Sequence, residues 1–217
     1  MKRRACIFDL DGTILDTLDD LANSTNMALA SVGLPQRSKE EVRSFVGNGV
    51  RVLMARAVPE NCPSALEERA YEAFLKIYAV EKTHYTKPYP HISDAIHTLT
   101  AHGLRCAVLS NKNDDAVKAL SQLHFPNLFE KSQGISATVL AKPNPSGLLT
   151  LCVEMGINKE EALYIGDSEV DIETGKAAAI PVLSVTWGFR SEERLLAAGA
   201  THLVHSPKEM VDCILQS

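Results

Sequence analysis

Short apolar runs alternate along this chain with segments whose apolar residues fall at helical spacing, and nothing else constrains the fold as strongly. The runs are Ala5–Phe8, Leu104–Leu109, Ala162–Ile165, Pro181–Val185 and His202–Val204. They are rich in Ile, Val, Leu and Phe and do not alternate with polar residues, as expected of strands covered on both faces. Between them lie helical patterns over Ser93–His102, Asp114–Leu123, Pro145–Met155, Ile172–Ala179, Glu192–Ala198 and Pro207–Leu215. Gly103, Gly156 and Gly199 follow three of these where C-terminal caps belong. Strand–helix–strand repetition with short links predicts an α/β fold, a doubly wound parallel sheet.

One stretch breaks the alternation. From about Thr17 to Lys87 only helical segments are legible: Leu18–Ser31, Lys39–Phe45, Val50–Ala57 and Ala65–Val80. Pro35, Pro59, Pro63, Gly47 and Gly49 punctuate them, and Lys87-Pro88-Tyr89-Pro90 stiffens the return. The expectation is a core domain of residues 1–16 and 88–217 with a small all-helical domain, residues 17–87, inserted after the first strand. Hinges would lie near Asp16 and Lys87.

Composition narrows the function classes. A formal net charge of −5 argues against nucleic acid or an anionic membrane as the main partner, while leaving room for small anionic substrates. No apolar run approaches the roughly 18 residues of a membrane-spanning helix. The five cysteines are scattered without a Cys-x-x-Cys pair, and three sit in apolar runs, so they read as small core residues of a reducing compartment. An acidic residue at position 9 comes too early for a signal-peptide core, and the cytoplasm is the expected address.

Ligands of an open parallel sheet bind beyond the carboxyl ends of its strands, so the residues after each apolar run carry the functional question. Asp9-Leu10-Asp11-Gly12-Thr13 follows the first run, Ser110-Asn111-Lys112 the second, and Gly166-Asp167-Ser168 with Asp171 the third. One polar strand end is commonly a helix cap; three together point to a site.

These residues resemble those of the haloacid dehalogenase superfamily of phosphatases, and among them the phosphoglycolate phosphatases. The resemblance spans nearly the whole chain and rests on four ordered motifs: Asp9-Leu-Asp-Gly-Thr13, Ser110-Asn111, Lys142-Pro143-x-Pro145 and Gly166-Asp167-Ser168-x-x-Asp171. The helical insertion occupies the place of the family's cap domain. The resemblance implies Mg²⁺ held by Asp9, Asp167 and the backbone carbonyl of Asp11. It also implies Asp9 as the nucleophile that forms an aspartyl-phosphate, with Asp11 as general acid and base. Ser110 and the Asn111 amide would hold phosphoryl oxygens, and Lys142 would neutralise charge. A bound cation is physically required in such a scheme, since a carboxylate does not approach a phosphate dianion unaided.

Weaker candidates carry two readings each. Asp171 and Ser168 either orient the metal's waters or cap the helix beginning near Ile172. The loop Gly47-Asn48-Gly49 with Arg51 resembles the family's substrate loop, where Arg51 would pair with a carboxylate; alternatively it is a helix–loop–helix corner with an exposed Arg. Lys112 either touches substrate or is an ordinary solvated lysine. Glu67, Glu68 and Arg69 read as a solvated helix face, and Trp187 as a packing residue. The segment Gly134–Leu140 departs from the family's pattern and leaves the local strand undefined. The expectation is a phosphatase for a small phosphorylated metabolite, foremost 2-phosphoglycolate, acting as a monomer or homodimer. Rival readings are a pyrophosphatase, a broad sugar-phosphate phosphatase, a mutase and a non-catalytic phosphate-binding regulator.

Overall fold

The structure is a computed structural model that describes residues 3–216. Its main sheet contains β1 (Ala5–Phe8), β2 (Arg105–Asn113), β3 (Lys131–Ile135), β4 (Ala162–Gly166), β5 (Val182–Val185) and β6 (Leu203–Val204). Every neighbouring pair is parallel, and the spatial order is β3-β2-β1-β4-β5-β6. The chain runs outward from β1 to β3 and then crosses to the other side of β1, which creates a topological switch point between β1 and β4. Phe8 lies opposite Val108 of β2 and Ile165 of β4, so Asp9 and the end of β4 lie beside the last residues of β2, which runs on to Asn113.

By contact, the chain divides into two compact units, Asp16–Lys87 and the remainder. Two-residue strands, Leu15–Asp16 and Lys87–Pro88, stand at the chain positions where one gives way to the other. The helical unit contains α1 (Leu18–Ser31), α2 (Lys39–Phe45), α3 (Val50–Ala57) and α4 (Ser64–Glu81). Its interior gathers Leu21 and Leu29 of α1, Leu53 and Met54 of α3, and Phe74 and Tyr78 of α4. A capping box between Ser38 and Glu41 starts α2. Asp20, buried on α1, accepts hydrogen bonds from the amides of Tyr85 (2.9 Å) and Thr86 (2.8 Å), fixing the end of the unit to its first helix.

In the α/β unit, α5 (Ile92–Ala101), α6 (Asp114–His124), α7 (Ser146–Glu154), α8 (Glu169–Ala178), α9 (Glu192–Ala197) and α10 (Pro207–Leu215) connect the strands. Side-chain alternation along β1 divides the core. Cys6 and Phe8 join Ile96, Leu120, Met210 and Ile214 on one face. Ala5 and Ile7 join Leu148, Leu151, Met155 and Ala178 on the other. Both faces of the sheet are therefore covered by helices, which is why the strands read as continuous apolar runs. Gly103, Gly156 and Gly199 have φ of 85°, 59° and 92° just past helix ends. All five cysteines are free thiols.

Two elements differ from the sequence expectation. The edge strand β3 has the sequence Lys-Ser-Gln-Gly-Ile and lacks an apolar run, because an edge strand is only partly covered. Helix α8 begins at Glu169 rather than near Ile172, with Ser168 as its N-cap and Asp171 as the returning partner of a capping box.

Gly175 sits inside α8, where a Cβ would overlap the Val182 side chain and stand 2.9 Å from the Ile180 carbonyl oxygen. Alanine gains about 1 kcal/mol over glycine in a helix interior, but overpacking against backbone costs about 1–3 kcal/mol. G175A is expected to lower the melting temperature by a few degrees in a thermal unfolding scan. An unchanged or raised value would show that α8 moves away from β5 freely.

Candidate active site

Four strand ends and loops meet at the switch point. Asp9 leaves β1, its amide bonding the Ile165 carbonyl of β4 at 2.8 Å. The chain then folds back on itself, the amides of Ile14 and Leu15 both bonding the Leu10 carbonyl. Gly12 permits this turn. Its φ is 86°, and any Cβ there would run into the Asp167 carboxylate. Gly188 plays the complementary part from beyond β5, since a Cβ on it would meet Asp167 and the Gly12 carbonyl.

Lys142 is the hub of the cluster, 4% exposed. Its Nζ lies 2.8 Å from Asp9 Oδ1, 2.7 Å from Asp171 Oδ1 and 2.9 Å from the Tyr164 hydroxyl. Tyr164 in turn donates to Asp171 Oδ1 at 2.8 Å. Asn111 clamps the backbone of Lys142 from both sides, accepting from its amide at 2.7 Å and donating to its carbonyl at 3.0 Å. Burial opposes charge on Lys142, but Asp171 and Asp9 outweigh it and hold the ammonium above its ordinary pKa.

Asp167, at the end of β4, accepts from Thr13 Oγ1 at 3.1 Å and from the Phe189 amide at 2.7 Å. Burial first, and Asp171 next, push its pKa up to about 7 against those hydrogen bonds and Arg190. Asp9 is raised well above the usual carboxylate range in the same way. Burial is the largest cause; Lys142 opposes it, and Asp171 and Asp167 add to it. Asp11 points elsewhere, its Oδ2 lying 3.1 Å from Lys112 Nζ. Ser110 is buried beside them, and its Oγ accepts from the Lys112 amide at 3.3 Å.

The chain is similar to known proteins over most of its length. Residues 6–185 match the sequence profile of the haloacid dehalogenase-like hydrolases. The chain belongs to that family. Among curated relatives, a phosphoglycolate phosphatase of Aquifex aeolicus (strain VF5) is 33% identical over 86% of this chain and 86% of its own length. One of Chromobacterium violaceum is 32% identical over 96% and 95%. A crystal structure from Lactobacillus delbrueckii subsp. bulgaricus, provisionally assigned as a phosphoglycolate phosphatase, superposes with a TM-score of 0.94 at 32% identity, covering 100% of both chains.

The family's divalent cation can be tested against the residues this hydrolase presents. One carboxylate oxygen each from Asp9, Asp167 and Asp171 lie within 4.8 Å of one another, all buried. Three carboxylates are held out of water here with Lys142 among them and Arg190 acting on Asp167, and burial first, then their mutual repulsion, raises Asp9 and Asp167. A hard cation with oxygen ligands would offset that repulsion. The three carboxylates are not equivalent. Asp171 already accepts four hydrogen bonds, from Lys142, Tyr164 and both the amide and hydroxyl of Ser168. Asp9 and Asp167 keep lone pairs to give. The set suits a divalent cation held by Asp9 and Asp167, with Asp171 and Ser168 behind them.

Of the two readings the sequence offers for Asp171, the cap of α8 is made by Oδ2, while Oδ1 takes a contact the sequence did not suggest, with Lys142. The solvated reading of Lys112 is wrong: the residue is 5% exposed and ion-paired. Tyr164 escapes sequence reading because it looks like filler in an apolar strand, and Thr13, though part of the first motif, carried no role there; its hydroxyl donates to Asp167. Trp187 packs, and its indole also donates to the Thr13 carbonyl at 3.0 Å. In the helical unit Gly49 precedes α3, and Gly47 and Gly49 have φ of 124° and 84°, with Asn48 between them. Arg51 forms a two-pronged ion pair with Glu68 and lies 3.6 Å over the Tyr71 ring; both Arg51 and Glu68 are exposed, so Glu68 belongs to a solvated face and is paired on it.

A folded-state carboxyl raised from its ordinary value to about 7 retains a proton that the unfolded chain has lost between about pH 4 and 7, so stability falls as pH rises through that window. In EDTA the melting temperature should drop from about pH 5.5 to about pH 8 more steeply for wild type than for D167N, and Mg²⁺ should restore it chiefly at the higher pH. Parallel profiles for the two proteins would remove the raised Asp167 pKa from the account.

Proposed function

We propose that this chain is a Mg²⁺-dependent phosphatase of small phosphomonoesters, foremost 2-phosphoglycolate, working through an aspartyl-phosphate on Asp9. The observation that carries it is the pairing of Asp9 with Lys142 at 2.8 Å inside a carboxylate cluster, with a second, divergent carboxylate only two residues along. The two carboxylates have separate surroundings and so separate tasks.

Mg²⁺ held by Asp9, Asp167 and the Asp11 carbonyl would offset the charge of the phosphoryl group and polarise it. Lys142 keeps one Asp9 oxygen oriented while the other attacks phosphorus in line. The bond to the leaving oxygen breaks as Asp11 supplies its proton. Water then attacks the phosphorus of the aspartyl-phosphate, giving its proton to Asp11, and phosphate departs with Asp9 restored. Ser110 and the Asn111 amide receive the phosphoryl oxygens. Because Asn111 also clamps Lys142, the phosphate cradle and the charge-neutralising ammonium form one rigid piece. The helical unit serves as the cap that excludes water, and its loop Gly47–Gly49 contributes to substrate choice. The names of the relatives support phosphoglycolate, and the acidic net charge of −5 suits a small soluble metabolite better than nucleic acid.

D9N is expected to lower kcat for p-nitrophenyl phosphate by at least about 10³-fold, and D11N by about 10²–10⁴-fold. EDTA should abolish turnover, and Mg²⁺ should restore it. Ordinary turnover by D9N would end the nucleophile assignment. A comparison of kcat/KM for phosphoglycolate, pyrophosphate and hexose phosphates should place phosphoglycolate first.

A further inference from the structure

Lys112 stands at the carboxyl end of β2, two residues beyond Ser110. Its side chain is only 3% exposed, and Asp11 Oδ2 lies 3.1 Å from its ammonium. The backbone there is pinned. Gly134 on β3 passes so close that a Cβ on it would overlap the Lys112 carbonyl oxygen and the Asp114 amide. The Gly134 amide itself donates to Asp114 Oδ1 at 2.9 Å. Ordering and burying a lysine side chain costs roughly 1.5–2 kcal/mol of rotamer freedom before desolvation. A helix-capping threonine or a backbone amide would hold Asp11 at less cost, so the position of an ammonium calls for a reason beyond holding Asp11.

The pair also conflicts with the part proposed for Asp11. While Asp11 Oδ2 faces Lys112, that oxygen is turned away from a leaving group. Release is favoured where another anion takes the place of Asp11 at Lys112. A general acid must come within about 3 Å of the leaving oxygen, and Lys112 Nζ is 3.1 Å beyond Asp11. With both contacts made by Asp11, Lys112 Nζ comes within about 6 Å of the leaving oxygen, so an anion that lies about 3 Å from that oxygen on the side of Asp11 also reaches the ammonium. A carboxylate on the carbon next to the ester oxygen has its oxygens at roughly that distance; a neutral alcohol offers nothing to exchange for Asp11.

Resting on the phosphatase reading above, we infer that Lys112 is a specificity-determining residue that receives a carboxylate on the leaving group and thereby frees Asp11. Selectivity would then come from the α/β unit itself, through an exchange of ion-pair partners. Substrates without the second anion leave Asp11 engaged.

The test compares kcat/KM for 2-phosphoglycolate and 2-hydroxyethyl phosphate, which differ in the carboxylate and little else. Wild type with Mg²⁺ is expected to prefer the carboxylate ester by about tenfold or more, the worth of one charge-assisted hydrogen bond. K112Q should bring the ratio toward one, whereas K112R should keep most of it. Equal use of both esters by wild type overturns the inference without recourse to any variant. So does a K112Q that slows both esters alike and leaves the ratio intact, as a merely structural lysine would. A wild type that hydrolyses neither ester overturns the phosphatase reading, and this inference falls with it.

Discussion

Lys142 carries its charge where water scarcely reaches, and it can do so because Asp9 after β1, Asp171 in the first turn of α8 and the Tyr164 hydroxyl from β4 converge on its ammonium. Remove the lysine and buried carboxylates face one another; remove the carboxylates and a buried ammonium stands alone. Either costs several kcal/mol. The surrounding architecture answers to this cluster. The order of the sheet brings β1 and β4 together, Gly12 and Gly188 admit the Asp167 carboxylate to a space no side chain could share, and Asn111 pins the backbone that presents the ammonium. What remains is an excess of negative charge confined to a small volume, which is a suitable place for a divalent cation and an unsuitable one for almost anything else.

Much of this was legible in the sequence because the informative residues sit where the chain changes character. Asp9, Ser110 and Asp167 each follow an apolar run, and the parallel sheet predicted from those runs collects their ends on one edge. The helices of both units were legible because amphipathic spacing and glycine stops mark them, to within a residue or two except at the start of α8, where the capping box adds a turn before Ile172. Tyr164 was not, since a hydroxyl at the tip of a strand residue leaves no trace in periodicity. The edge strand β3 was missed for a related reason: its residues are half-covered, and the backbone ladder that defines it is invisible in side-chain pattern. Lys112 was misjudged because a lysine in a loop is ordinarily solvated, and only the approach of Gly134 and Asp11 buries it. Arg51 illustrates the converse. It was read either as a ligand contact or as an exposed arginine at a corner, and it is exposed, with Glu68 on its fork and Tyr71 under its face.

Asp171 shows how one residue serves structure and site together. A capping box is usually a local device worth about a kcal/mol to its own helix. Here the far oxygen of the same carboxylate orders Lys142, so the start of α8 and the polarity of the site are set by one side chain. A substitution that spared the helix but not the lysine, or the reverse, is hard to devise at that position.

None of the six strands comes from Asp16–Lys87. The helical unit contributes no ladder hydrogen bond to the main sheet and no register to its strands, while its own interior closes around Phe74, Leu53 and Leu29. Loop-closure entropy grows only logarithmically, so doubling an inserted segment costs about 0.6 kcal/mol. The chain is thus built so that the inserted segment can be lengthened, shortened or exchanged over evolutionary time with little penalty to the sheet. The inserted segment and the sheet are free to diversify at different rates within one gene.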